Sequence, residues 1–132
     1  MENSNFRPFR EMIQVLDLNP KPTTEELNDL NKLYSSKLPP DFLEFISEHN
    51  GADGELNDNY LSIWTIQDIL DVASVSNEDD SHSKFLLVGS TGYFKYGVYN
   101  GTFYELDMLD ETYQIDMGKS FTEFLYEFSK RQ

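Results

Sequence analysis

Two histidines and no cysteine set narrow limits on the chemistry this chain can carry. Thiolate nucleophiles, disulfides and cysteine-bound zinc are excluded outright. His49 and His82 are too far apart for a His-x-x-x-His pair, and His49 closes an apolar helical face, where the helix dipole accounts for it. The run Asp53-Gly54-Glu55-Leu56-Asn57-Asp58-Asn59 invites a calcium reading. Its glycine stands second instead of sixth, however, and Trp64 occupies the place of the closing glutamate. Gly89-Ser90-Thr91-Gly92 lacks both the lysine of a phosphate loop and the Gly-x-Ser-x-Gly pattern of a hydrolase elbow, so it reads as a turn. Among 24 acids two could pair as a glycosidase-like couple, but nothing singles out one pair. No catalytic, cofactor or metal residue is therefore assigned. The chain reads as a non-enzymatic protein, with a small carboxylate-pair hydrolase as an alternative.

Charge is the strongest compositional signal. Ten basic residues against 24 acidic ones give a net charge of −14. Between Leu38 and Ser83 there is no Lys or Arg, while Asp41, Glu44, Glu48, Asp53, Glu55, Asp58, Asp68, Asp71, Glu78, Asp79 and Asp80 are all acidic. Phosphate neutralisation needs clustered cations, so direct nucleic-acid binding is excluded, and anionic membranes repel such a chain. A basic protein partner would be attracted and steered. Acidity also serves plain solubility. Met1 to Phe6 lacks the basic and apolar regions of a signal peptide, and no segment approaches a membrane span, so a cytoplasmic protein is expected.

The 132 residues fit one domain, 1–132, around one core. Phe6, Phe9, Met12, Ile13 and Leu16 recur at helical steps over 8–17, and Asn19-Pro20-Lys21-Pro22 stops them. Thr23 and Glu26 form a capping box for a helix that turns Leu27, Leu30 and either Leu33 or Tyr34 inward. Leu38-Pro39-Pro40 opens a third helix with Phe42, Phe45, Ile46 and His49 on one face, and Asn50-Gly51 closes it through a left-handed glycine. Residues 52–59 read as a polar loop, and Leu61 and Ile63 as a strand reaching Trp64. Thr65 caps a helix over 66–75, and 76–83 is a polar, acidic segment expected to be mobile. Phe85–Val88 is a buried strand, Gly89–Gly92 a turn, and Tyr93–Tyr99 a strand with Phe94, Tyr96 and Val98 on one side. Asn100-Gly101 is a type I′ hairpin turn into the return strand Thr102–Met108. Tyr113–Met117 is a further strand. Ser120 and Glu123 form a second capping box, for a helix burying Phe121, Phe124, Leu125 and Phe128. This order predicts an α+β fold in which helices pack on an antiparallel, or partly mixed, sheet of about five to six strands.

Four motifs in order resemble the SUKH superfamily, the Smi–Knr type domain. They are Leu38-Pro39 through Asn50-Gly51, Leu61-Ser-Ile-Trp64 with Ile66 and Ile69, Phe85-Leu-Leu-Val-Gly89-Ser with Gly92, and Ser120-Phe-Thr-Glu-Phe124-Leu. The turn after Gly89 departs from the family pattern, carrying Tyr93-Phe-Lys-Tyr96 where more glycines and acids are expected. The resemblance implies a binding role. Many bacterial members look like immunity proteins that neutralise toxins, often nucleases, and fungal relatives act as interaction scaffolds. The expectation is thus an immunity protein whose acidic surface masks a basic toxin domain, with a scaffold or regulatory module as the alternative. The residues expected to meet the partner are Asp53, Glu55, Asp58, Trp64, Glu78, Asp79 and Asp80. For Trp64 a core anchor behind the sheet and a partly exposed interface anchor both remain open.

Overall fold

Antiparallel strands, some joined by tight turns and others through helices, build one sheet, and helices with an apolar face cover it. A computed structural model describes residues 9–75, 84–107 and 109–130. Among them the order is α1 (Phe9–Met12), β1 (Asp17–Leu18), α2 (Thr24–Tyr34), α3 (Pro40–Glu48), β2 (Ala52–Leu56), β3 (Asn59–Ile63), α4 (Ile66–Ser74), β4 (Leu86–Ser90), β5 (Lys95–Tyr99), β6 (Thr102–Asp107), β7 (Asp110–Asp116) and α5 (Phe121–Ser129). The strands pair in chain order, each antiparallel to the next. The α+β class holds, with seven strands among the described residues instead of five to six.

The extra strands come from segments whose polarity hides their alternation. Residues 52–59 are not a loop but one arm and the turn of a hairpin. Asn57 and Asp58 take φ of 54° and 74°, and Leu56 pairs with Asn59 across them, which is a two-residue turn of type I′ character. Ala52 and Leu56 face in while Asp53 and Glu55 face out; the inward position between them is Gly54, so no apolar side chain marks the period. The helix expected over 8–17 ends at Met12. A 3₁₀ turn follows at Ile13–Val15, Leu16 is extended, and β1 pairs Asp17 with Asp53 and Leu18 with Ala52. Phe9, Met12, Ile13 and Leu16 are nevertheless all buried, because a 3₁₀ turn still places residues three apart on one side.

Other boundaries move less. Tyr34, and not Leu33, packs on the core, and Leu33 is 57 % exposed. β4 runs through Ser90, so the turn to β5 is Thr91–Phe94, closed by the Thr91 N–H to Phe94 C=O bond at 2.9 Å. β7 starts at Asp110, ahead of the expected Tyr113. Asn100 and Gly101 take φ of 52° and 79°, as the hairpin reading requires. The segment 76–83 lies outside the described residues.

The core is a phenylalanine cluster between the helices and one sheet face. Phe42, Phe45 and Ile46 of α3 are fully buried, as are Phe103 of β6 and Phe121 of α5. Ring centroids lie 4.9 Å apart for Phe45–Phe121, 5.3 Å for Phe42–Phe121 and 4.8 Å for Phe103–Phe124. Contacts of this kind add to the area burial that dominates their stabilisation. Arg10 of α1 pairs with Glu44 and Glu48 of α3, which holds the short first helix in place. These two carboxylates hold its guanidinium still further above its ordinary value.

Candidate protein-binding face

Strand register decides which side chains the sheet presents away from its helices. Directly paired residues point to the same face, and neighbours along a strand to opposite faces. Ala52, Leu56, Leu61 and Ile63 are buried against the helices. Asp53 pairs with Ser62, Glu55 with Tyr60, Ser62 with Ser90, and Ser90 with Lys95. The opposite face therefore carries Asp53, Glu55, Tyr60, Ser62, Ser90 and Lys95, with Trp64 continuing the outward set just past β3.

Tyr60 is 48 % exposed, and its hydroxyl donates to Asp53 Oδ2 at 3.1 Å. That hydrogen bond, and after it some loss of hydration, holds the Tyr60 phenol above its ordinary value, because ionisation would set two negative oxygens together. Trp64 is half-buried. Its indole N–H donates to Ser90 Oγ at 3.3 Å, its backbone N–H to the Val88 carbonyl at 2.9 Å, and Lys95 Nζ lies 5.8 Å from its ring centre. It packs on the edge of the core and is not fully covered by it.

The Trp64 position is set by the corner after α3. His49 is already extended (φ −141°), so Asn50-Gly51 lies beyond the helix and does not cap it. Instead, Asn50 Oδ1 accepts from the Ile66 N–H at 2.8 Å at the start of α4, where Thr65 Oγ1 also accepts from the Asp68 N–H at 3.1 Å. Gly51 takes φ of 90°, and a Cβ there would stand 2.7 Å from the Ile63 carbonyl oxygen. Only glycine lets this corner press against the Ile63–Trp64 backbone. His49 Nδ1 lies 3.3 Å from the Asn19 carbonyl, and its ring packs on Phe45, a structural placement.

The structure brings two of the sequence-predicted residues into one cleft. Asp53 and Trp64 line a depression of about 210 Å³ together with Ser62, Thr65 and Asp68. Glu55 is exposed on the same face, opposite Tyr60. Asp58 is separate, at the hairpin tip, which Asn57 Nδ2 ties to the Ser129 carbonyl of α5. Glu78, Asp79 and Asp80 lie outside the described residues. Sequence reasoning passed over Tyr60 and Asp68. The alternation that turns Leu61 and Ile63 inward already turned Tyr60 outward, and the Thr65 cap already fixed Asp68 in the first turn of α4. Among the described residues no group of three or more His, Cys, Asp or Glu could hold a metal ion. Among them too, no helix is long and apolar enough to cross a membrane.

The face can thus offer carboxylates and partly exposed aromatic rings to another macromolecule. No curated protein matches the chain. A family model described as SMI1 / KNR4 family (SUKH-1) matches residues 21–127, a span that starts just before α2, takes in β2 to β7 and ends within α5. The chain belongs to the SMI1/KNR4 (SUKH-1) family.

Proposed function

We propose that this chain is a toxin-neutralising immunity protein, non-enzymatic, that occludes a basic toxin domain of nuclease type by direct contact. The observation that carries this reading is the outward face of the β2–β3 hairpin, where Asp53 and Glu55 stand beside Tyr60 and Trp64. Carboxylates steer a basic partner, and half-exposed aromatic rings supply the anchors that hold it. The net charge of −14 and the absence of Lys and Arg from Leu38 to Ser83 support the same partner chemistry. Family membership supports it independently, since many bacterial members of the family look like immunity proteins.

The test is surface plasmon resonance against a basic, nuclease-type toxin domain, at several salt concentrations. The wild-type on-rate should fall steeply with salt, because exposed charges are screened beyond about 8 Å at physiological ionic strength. The off-rate should respond less, since it depends on the buried centre of the contact. Replacing Asp53, Glu55 and Asp58 together by lysine should lower the on-rate. A salt-independent on-rate with unchanged binding by the triple variant would reduce the acidic face to a solubility device.

A further inference from the structure

A cavity of about 390 Å³ opens on the helix-bearing face of the sheet, beside Phe128 in the last turn of α5. That volume suits a small organic group. Its walls are aromatic. Phe94 and Tyr113 stack with centroids 5.3 Å and planes 11° apart, and Tyr93, 88 % exposed, adds a third ring against Phe94. At its base is Glu105, only 2 % exposed. The Tyr96 hydroxyl donates to Glu105 Oε2 at 2.9 Å and the Tyr113 hydroxyl to Oε1 at 2.7 Å. Register turns Glu105 inward opposite Tyr96, as it turns Phe103 inward opposite Val98. A core alone would be served by another apolar residue there, because a buried carboxyl needs compensation. Two phenols hold this one in a fixed orientation among π faces.

A carboxyl group beside aromatic rings, two of them half-buried and Tyr93 exposed, is complementary to an organic cation. The ring quadrupole attracts the positive charge. A guanidinium also stacks flat on a ring while its fork meets a carboxylate, which an ammonium cannot do. We propose that this cavity receives an arginine side chain of the basic partner, stacked on the Phe94–Tyr113 wall and neutralised by Glu105. The source of that arginine rests on the immunity reading; the chemistry of the cavity does not. Asn59, next to Asp58 at the hairpin tip, lines the same cavity, and Thr91 Oγ1 donates to the Tyr60 carbonyl at 2.6 Å. The cavity therefore borders the hairpin tip, and a partner that contacts both must wrap over that tip from the outward face to the helix-bearing one.

The test is a ¹⁵N and tyrosine-¹³C NMR titration with N-acetyl-arginine amide, against N-acetyl-citrulline amide as the neutral isostere. Saturable shifts at Phe94, Glu105 and Tyr113, about tenfold tighter or more for arginine than for citrulline, are expected. Glu105→Gln should abolish that preference. If Glu105→Gln melts well below wild type, Phe94→Leu decides, since it keeps apolar volume but removes the ring face; arginine binding should weaken about two- to fivefold. Equal responses to both probes, no saturable shift, or unchanged binding by Phe94→Leu would overturn the proposal. Because the probe is a small molecule, that failure leaves the acidic face to its own salt-dependence test.

Discussion

At the scale of single residues, Tyr60 reports on the proposed contact face. Its raised pKa means that the folded state holds the phenolic proton more tightly than the unfolded chain does. The associated stabilisation is fully present below about pH 10, the unfolded value, and is lost as pH rises through the folded value. Tyrosine-¹³C NMR should find Tyr60 titrating above the ordinary tyrosine range, and Asp53→Asn should bring its midpoint down. An unchanged midpoint in Asp53→Asn would remove the Asp53 hydrogen bond as the cause. Two glycines make a second comparison. Gly101 takes φ of 79° with open space where a Cβ would stand, whereas Gly51 takes φ of 90° with the Ile63 carbonyl in the way. Gly101→Ala should cost about 1 kcal/mol, from backbone conformation alone. Gly51→Ala should cost clearly more in urea denaturation, and should also disturb the indole signals of Trp64. Equal costs would mean that the corner at Gly51 relaxes freely.

At the scale of elements, α3 organises two other helices through residues at and just beyond its ends. Asp41, in its first turn, accepts from the Phe121 and Thr122 backbone N–H groups at 2.7 and 2.9 Å, and from the Thr122 hydroxyl at 3.1 Å. Asn50, past its last turn, accepts from Ile66. The first-turn donors of α4 and α5 are thus met partly by local caps, Thr65 and Ser120, and partly by α3. The second capping box is only half formed. Ser120 Oγ accepts from Glu123 as expected, but Glu123 Oε1 accepts from the Lys119 N–H at 2.8 Å. Asp41→Ala should cost about 1–2 kcal/mol, comparable with loss of a helix cap. Amide exchange should quicken at Phe121 and Thr122 more than at the centre of α5; a uniform change would deny Asp41 its capping role. The helices were legible in the sequence because caps and apolar periodicity are local signals. Asp41 and Asn50 were legible only as parts of α3, since their partners lie far along the chain. β2 was missed for a different reason: Ala52 and Leu56 flank Gly54, so the middle of its three inward positions has no side chain. Trp64 was legible as the end of β3, but its cleft with Asp53 and Asp68 needed the register that joins β2 to β3 and the corner that sets α4.

At the scale of the whole molecule, the proposed contact face should separate binding from stability. A net charge of −14 repels itself across a small fold, and exposed carboxylates on a solvent-facing hairpin add to that repulsion. Of the three hairpin acids, Asp53 has the hydrogen bond from the Tyr60 hydroxyl, an exposed contact of small net worth. Asp58 sits in a turn, where its φ of 74° is a conformation that aspartate tolerates better than lysine does. Replacing Asp53, Glu55 and Asp58 by lysine shifts the net charge by two units per substitution toward neutrality. Relief of repulsion then opposes the loss of one hydrogen bond and a modest strain at the turn. The thermal midpoint of the triple variant should therefore stay within a few degrees of wild type at low salt, where repulsion is least screened. At high salt, where that relief disappears, the variant should fall further behind. Restoring Asp58 alone should recover the part of the high-salt loss that comes from turn strain, while leaving partner binding weak. A large loss of stability at low salt would instead mean that Asp53 and Glu55 hold the hairpin together, and their outward placement would then be structural before it is functional.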